Sequence, residues 1–357
     1  MPELEALRFE AAAYRVRLFL SVDLSGSTAF KNSKEGEARK AGATPSWVTV
    51  FQKFYSDFPS LFAAEFQQQK NASVGQDICP ELWKAVGDEL VFCGRVTNKK
   101  SCAVTLSAFV KTLHNYRQRL SEQKVALNLK GAAWLAAFPE PNRTVQLRAG
   151  DGSPELLPAS EALEHSADER PFEFDFLGKA IDTGFRVASR AQPDKFVLSV
   201  QLARLLASHG PELGFGYQVR MERPATLKGV NKNEPYPLLF IDTLEHLPTR
   251  KAKELEREVL REHEPPSQPK VADYLEAYSA VVGTDEIMLR LDSGAVEVGP
   301  PESYTQNRVL ISKHLEGEKK TEIDGGSDGE EDPSLDDSEL EDVLLEPLAG
   351  DQEGDPS

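Results

Sequence analysis

An α/β sandwich is the fold class this sequence predicts, and three observations carry it. Short apolar strand-like runs recur along the chain, at 17–23, 82–86, 88–93, 125–138, 194–200, 214–223 and 235–242. Segments with apolar residues at helical spacing lie between them, so strands mix with crossing helices in one body. The 357 residues suffice for one large domain or two smaller ones.

The elements follow in order. Residues 17–23 alternate weakly and end at Asp23, which predicts a strand. Residues 31–44 are polar and contain glycine, which predicts a loop. An aromatic-rich helix is expected from Pro45 to about Phe66, with Thr44 as its cap and Pro59 kinking or splitting it. Residues 82–86 and 88–93 read as a hairpin around Gly87-Asp88. Val104, Phe109, Val110, Leu113 and Leu120 fall at helical spacing within 101–121. A strand at 125–138 precedes an insertion, 139–171, expected to be mostly loop. Strand, turn and helix are expected over 172–191, a strand over 194–200 and a short helix over 201–208. Two more strands, 214–223 and 235–242, close a body that ends near residue 243.

A charged helix (249–263), a linker and a small appendage (270–315) are expected next, followed by a tail. From Glu316 onward the chain has 17 Asp or Glu against 2 Lys, a net of −15 out of the whole chain's −17. This composition predicts a disordered acidic tail on a nearly neutral body. A basic footprint for nucleic acid is therefore not expected. Cys79, Cys93 and Cys102 lack metal or disulfide spacing and read as reduced thiols. The first residues lack an apolar signal core, and no apolar run approaches the roughly 18–20 residues of a membrane span. A soluble cytoplasmic protein without membrane partners is the expectation.

Two acidic motifs carry the chemistry. In LFLSVDLSGSTAF, Asp23 ends an apolar run, and in WKAVGDELVFCG, Asp88 sits at a turn. One Asp at a strand end commonly only caps it. Two, on strand ends that can lie side by side, can clamp two divalent cations for in-line attack on a phosphate. Gly26, Ser27 and Thr28 are small residues whose backbone N–H groups can cradle phosphates. Lys84 can meet a base edge or a phosphate from its strand. Arg186 and Arg190 are four apart, on one face of the expected helix, and two guanidiniums so placed can clamp phosphate. Lys228, at a glycine turn, can reach a terminal phosphate. Trp47, Phe51, Phe54 and Tyr55 suit either a core or a ligand pocket. The chain has no GxxxxGK[ST] loop, GxSxG elbow or histidine spacing for zinc.

In this order the motifs resemble those of class III nucleotidyl cyclases, over roughly residues 15–243. The residues concerned are Asp23-Leu24-Ser25-Gly26-Ser27-Thr28, then Lys84 with Gly87-Asp88, then Arg186-Val-Ala-Ser-Arg190, then Leu227-Lys228-Gly229-Val230 with the strand after it. The resemblance implies a ferredoxin-like catalytic domain over 1–243, interrupted by the insertion at 139–171. It implies that Asp23, Asp88 and the Leu24 carbonyl bind two Mg²⁺ or Mn²⁺ ions. It also implies a homodimer with sites at the interface, where Arg190 of the second subunit stabilises the developing charge. Gly26, Ser27, Thr28, Lys84, Lys228 and Phe51 would bind a nucleoside triphosphate. Arg186 stands where the family commonly has Asn, a departure that puts ordinary adenylyl or guanylyl cyclase activity in doubt.

Within the class, the chain looks most like the bacterial Pycsar pyrimidine cyclases. The compact domain near the N-terminus, the DLSGST and GDE forms and the lack of receptor or membrane segments point there. That resemblance implies conversion of UTP to cyclic UMP in antiphage defence, with the product read by a separate effector protein. Cytidylate, adenylyl and guanylyl cyclases and a non-catalytic nucleotide-binding module are the alternatives. An actin-like phosphate loop fits poorly, because one extra residue separates Asp23 from Gly26.

Overall fold

The computed structural model describes residues 7–41, 45–70, 74–75, 77–146, 159–247, 249–260 and 266–324. The chain divides into two units, Met1–Leu315 and Glu316–Ser357. In chain order the elements are β1 (Arg15–Ser25), α1 (Ser27–Ala41), α2 (Ser46–Gln69), β2 (Glu81–Val86), β3 (Glu89–Val96), α3 (Lys99–Glu122), β4 (Asn128–Phe138) and β5 (Arg143–Gln146). Then come α4 (Glu161–Glu169), β6 (Phe174–Leu177), α5 (Lys179–Ala188), β7 (Lys195–Leu198), α6 (Val200–Leu213), β8 (Val219–Thr226) and β9 (Pro235–Asp242). The last are α7 (Arg250–Val259), α8 (Gln268–Val282) and α9 (Glu302–Asp324).

Seven strands form one sheet in the order β2-β3-β1-β4-β7-β9-β8. Its first four strands, β4-β1-β3-β2, with helices after β1 and β3, make the antiparallel βαββαβ arrangement of a ferredoxin-like core. β7 extends it by pairing parallel to β4. This is the expected α/β fold. β5 and β6 form a separate two-stranded sheet.

The period-2 alternation of β1 decides which residues meet which layer. Leu18, Leu20, Val22 and Leu24 pack into a core shared with α2, α3, α6 and α8. Phe19 points to the other face, where Trp83, Trp134, Phe138 and Phe176 surround it beneath α4 and α5. Phe19 stacks on Trp134 with ring centroids 5.4 Å apart. On that second face Arg17 sits wholly buried, paired with Glu164 at 2.7 Å and with Asp168 at 2.6 Å. Phe138 and Phe176 flank its guanidinium.

Several expectations change. Residues 31–41, read as loop, belong to α1; the Lys, Glu and Ala content of the segment sustains a helix across Gly36. Residues 42–44, with Thr44, lie outside the described residues. Pro59 does not split α2, which runs unbroken from Ser46 to Gln69. Phe51, Phe54, Phe58, Phe62 and Phe66 form a buried stripe on both sides of Pro59, and their packing outweighs the missing hydrogen bond. The insertion supplies β5, which pairs with β6, and a capped helix α4, whose Ser160 hydroxyl accepts from Leu163 N–H. Its stretch 147–158 lies outside the described residues.

Residues 244–315 are not a separate appendage but belong to the first unit. Tyr304 donates to the Ala12 carbonyl at 2.6 Å, and Leu275 is fully buried against the main core. Residues 316–324, assigned to a disordered tail, are the end of α9. Most of that tail, 325–357, lies outside the described residues. Among the described residues, no helix is long and apolar enough to cross a membrane.

Candidate active site

The ladder builds the site. Asp23 lies directly opposite Glu89 on β3 and opposite Lys130 on β4, so all three side chains share the second face of the sheet. β2 and β3 are joined by a two-residue loop, Gly87-Asp88, in which Gly87 takes φ +64°. Glycine adopts that conformation without a Cβ penalty, which is why it opens the loop. The loop is pinned from two sides. Leu24 N–H donates to the Asp88 carbonyl at 3.2 Å, and the Tyr55 hydroxyl of α2 donates to the Gly87 carbonyl. The Asp23 and Asp88 carboxyls lie within hydrogen-bonding reach of each other.

Carboxylates outnumber cations around Asp23. Lys130 Nζ sits 2.9 Å from Asp23 Oδ2, with both side chains about three-quarters buried. Burial raises the Asp23 carboxyl above its ordinary pKa, the Lys130 bond and charge oppose that, and Asp88 adds to it. Glu89 is raised as well, first by burial and then by Asp23 and Asp88, against a Ser21 hydrogen bond and Lys130. Three carboxylates beside one ammonium favour the arrival of more positive charge. Among the described residues, no group of three or more His, Cys, Asp or Glu forms a ready metal cage. Two carboxylates suffice for Mg²⁺, which takes one or two from protein and fills its shell with phosphate oxygens and water. The donor set of Asp23, Asp88 and the Leu24 carbonyl fits that requirement.

Gly26 (φ +88°) turns the chain from β1 into α1, so Ser27 and Thr28 open that helix beside Asp23. Lys84 is not free: its ammonium pairs with Asp175 of β6 at 2.6 Å and lies 4.4 Å from the Trp83 ring. Arg186 is exposed in the last turn of α5. Arg190 does not share its helix face, because α5 ends at Ala188 and Arg190 lies in the turn beyond. Its guanidinium bonds the Thr226 carbonyl at 3.4 Å, which brings it near the β8–β9 turn that carries exposed Lys228. Among the described residues, no hydrogen bond or ion pair links either arginine or Lys228 to Asp23, Asp88 or Glu89. Phe51 is a correction: it is 4% exposed within the main core and cannot touch a substrate. Of that aromatic group, Tyr55 is the one that reaches the site.

Lys130 and Asp175 are the contributors that sequence reasoning missed, and Tyr55 was named only within an aromatic group that suited core or pocket. Each is placed by a pairing between distant segments, and only the polar start of the 125–138 strand hinted at Lys130.

No family model matches the chain, and no curated protein matches it. Solved structures do. The chain is similar to the adenylyl cyclase CyaB from P. aeruginosa, at TM-score 0.43 and 12% identity over 64% of this chain and 94% of that one. It is similar to the guanylate cyclase domain of RhGC from Catenaria anguillulae, solved with GTP, at TM-score 0.41 and 9% identity over 64% and 98%. The guanylyl cyclase Cya2 gives TM-score 0.39 and 12% identity over 65% and 93%. At these scores the fold assignment rests on the strand order itself.

Proposed function

We propose that this protein is a nucleotidyl cyclase, which closes a nucleoside triphosphate to its 3′,5′-cyclic monophosphate and releases pyrophosphate. The observation that carries the reading is the meeting of Asp23 and Asp88 on adjacent strand ends, beside a helix that opens with Gly-Ser-Thr. Two divalent ions held there would lower the pKa of the ribose 3′-hydroxyl and offset charge at the α-phosphate. Asp23 and Asp88 supply ligands fixed by the β1–β3 ladder. The first turn of α1 offers its N–H groups to the triphosphate. Lys130 and Asp23 form a pair that binding of a metal ion would break, leaving the ammonium to a phosphate oxygen.

Arg186 and Arg190 are exposed and unconnected to the carboxylates within one chain. That supports a homodimer in which a second copy supplies them to stabilise the developing charge.

Within this class we propose UTP as substrate and cyclic UMP as product, serving antiphage defence through a separate effector. The support is the resemblance of DLSGST and GDE to the Pycsar cyclases. The Lys84–Asp175 pair offers one donor and one acceptor, matching O4 and N3–H of uracil. The same pair matches O6 and N1–H of guanine, N1 and the amine of adenine, and N3 and the amine of cytosine, so it does not choose the base and the preference for UTP rests on the motif resemblance.

The test is incubation with Mn²⁺ or Mg²⁺ and each of ATP, GTP, CTP and UTP, with products identified by mass. A cyclic product lost by a factor of at least about 100 in Asp23→Ala and Asp88→Ala is expected. Turnover that survives both substitutions would sink the two-metal reading. The identity of the cyclic product decides among the four bases.

A further inference from the structure

A second cavity, of about 260 Å³, opens at the far end of β1 from Asp23. Eight residues separate Arg15 from Asp23, on the order of 26 Å of extended strand. Its inner wall is Arg15 and Val16 of β1 with Arg95–Thr97 of β3 and just beyond; its outer wall comes from 288–290 and 297–298. The outer wall is pinned to the body. Lys99 N–H donates to the Arg290 carbonyl at 2.9 Å, and Met288 N–H donates to the Tyr14 hydroxyl at 3.1 Å.

Three guanidiniums line this cavity, and they are not equivalent. Arg15 is fully engaged by the Ala13 carbonyl, Asp168 and Glu161 at 3.2, 2.9 and 2.5 Å. Arg95 approaches only Asp168, at 3.7 Å, which is beyond hydrogen-bonding distance, and Asp168 already serves Arg15 and Arg17. Arg290 approaches only Glu297, also at 3.7 Å, whose side chain is 88% exposed. Among the described residues, then, two partly buried guanidiniums line one cavity with their side-chain donors unused. Burial, and next the charge of Arg15, push the Arg95 guanidinium down from its ordinary pKa. Both guanidiniums stay accessible from the cavity, with 39% and 27% of their side chains exposed, and an oxyanion between them would accept charge-assisted bonds from both.

We propose that this cavity binds a small phosphorylated molecule, with its phosphate between Arg95 and Arg290 and its remainder against Val96, Leu289 and Val298. The volume lies just below the usual range for ligand pockets, about 300–1,000 Å³, which suits a compact carrier. Two forked cations favour a dianionic phosphate over a single carboxylate. The site is separate from the Asp23–Asp88 centre and does not depend on cyclase chemistry.

The test titrates the full-length chain, free of divalent ions, with inorganic phosphate and separately with malonate, followed by calorimetry and thermal melting. Saturable phosphate binding is expected, weakened at least about tenfold by Arg95→Gln and by Arg290→Gln and abolished by both together. Lys130→Gln, which removes the ammonium beside Asp23, should leave it unchanged. Arg290 lies outside the Arg15–Arg17–Asp168 cluster, so Arg290→Gln tests the site without disturbing that packing. Absence of saturable binding, or equal binding by the double variant, overturns the site. Loss of binding in Lys130→Gln would move the phosphate to the catalytic centre and also overturn it. Tighter binding of malonate than of phosphate overturns the ligand class.

Discussion

Burial and two neighbouring aspartates act together against the ionisation of Glu89. Its folded pKa is raised, so its contribution to stability is complete below the ordinary carboxylate pKa and is lost as pH rises through the folded value. Glu89→Gln, which keeps an acceptor for Ser21, should therefore melt higher than the parent chain above that window. The gap should close as pH falls through it. Melts from about pH 4 to 8 without divalent ions read this directly, and a gap constant with pH would refute it. Asp23 is raised for the same first reason, and a metal ligand must be ionised. Divalent-ion affinity should accordingly fall as pH drops through the raised Asp23 pKa, as calorimetry against Mn²⁺ would show. Asp23 and Asp88 were legible in sequence because each interrupts an apolar run. Lys130 was not, since a lysine early in a strand carries no mark of the carboxylate opposite it.

The junctions between elements show where packing leaves no slack. Gly184 of α5 lies over the Trp134 ring, and a Cβ there would come within 2.4 Å of it. Gly184→Ala should cost about 1–3 kcal/mol by overpacking, seen as a lower denaturation midpoint with an unchanged slope. Arg117 of α3 donates to the Leu129 carbonyl at 2.6 Å and the Thr243 carbonyl at 3.3 Å, and also to the Pro193 carbonyl. It thereby ties the start of β4 to the segments flanking β7 and β9. Arg117→Ala removes this donor from the Leu129 and Thr243 carbonyls, while Pro193 keeps the Thr243 hydroxyl, and should cost about 3 kcal/mol in the same measurement. α2 teaches the reverse lesson about local signals. Pro59 predicted a break, yet a stripe of five phenylalanines facing one core held the helix together. Periodicity reported the stripe, and only the core it packs against decided that it would prevail over proline.

For the molecule as a whole, the proposed reaction requires carboxylates and arginines to meet. If two copies build each site, mixing an Asp88→Ala chain with an Arg190→Ala chain should recover activity. Random pairing puts half of the dimers in the mixed form with one intact site of two, so about a quarter of wild-type turnover is expected. No recovery would place both groups in a single chain's site. Residues 266–315 close the compact unit, with Leu275 and Tyr304 buried against elements from the first third and the middle of the chain. A chain ending after Leu247 should lose its single cooperative transition, whereas one ending after Asp324 should keep it.

By itself the sequence determined most of the strand and helix pattern of the main body, the two aspartates and the glycine turns that present them. These are local facts: period-2 and period-3.6 patterning and the positive φ that glycine tolerates act within a few residues. Tertiary structure decided the rest. It set Lys130 and Glu89 on either side of Asp23, committed Lys84 to Asp175, buried Phe51, and separated Arg190 from the helix of Arg186. It also folded the C-terminal segments back to build a cavity at the opposite end of β1. Strand order and long-range pairing govern all of these. Neither is written in the spacing of neighbouring residues, because the contacts that fix them join positions tens to hundreds of residues apart.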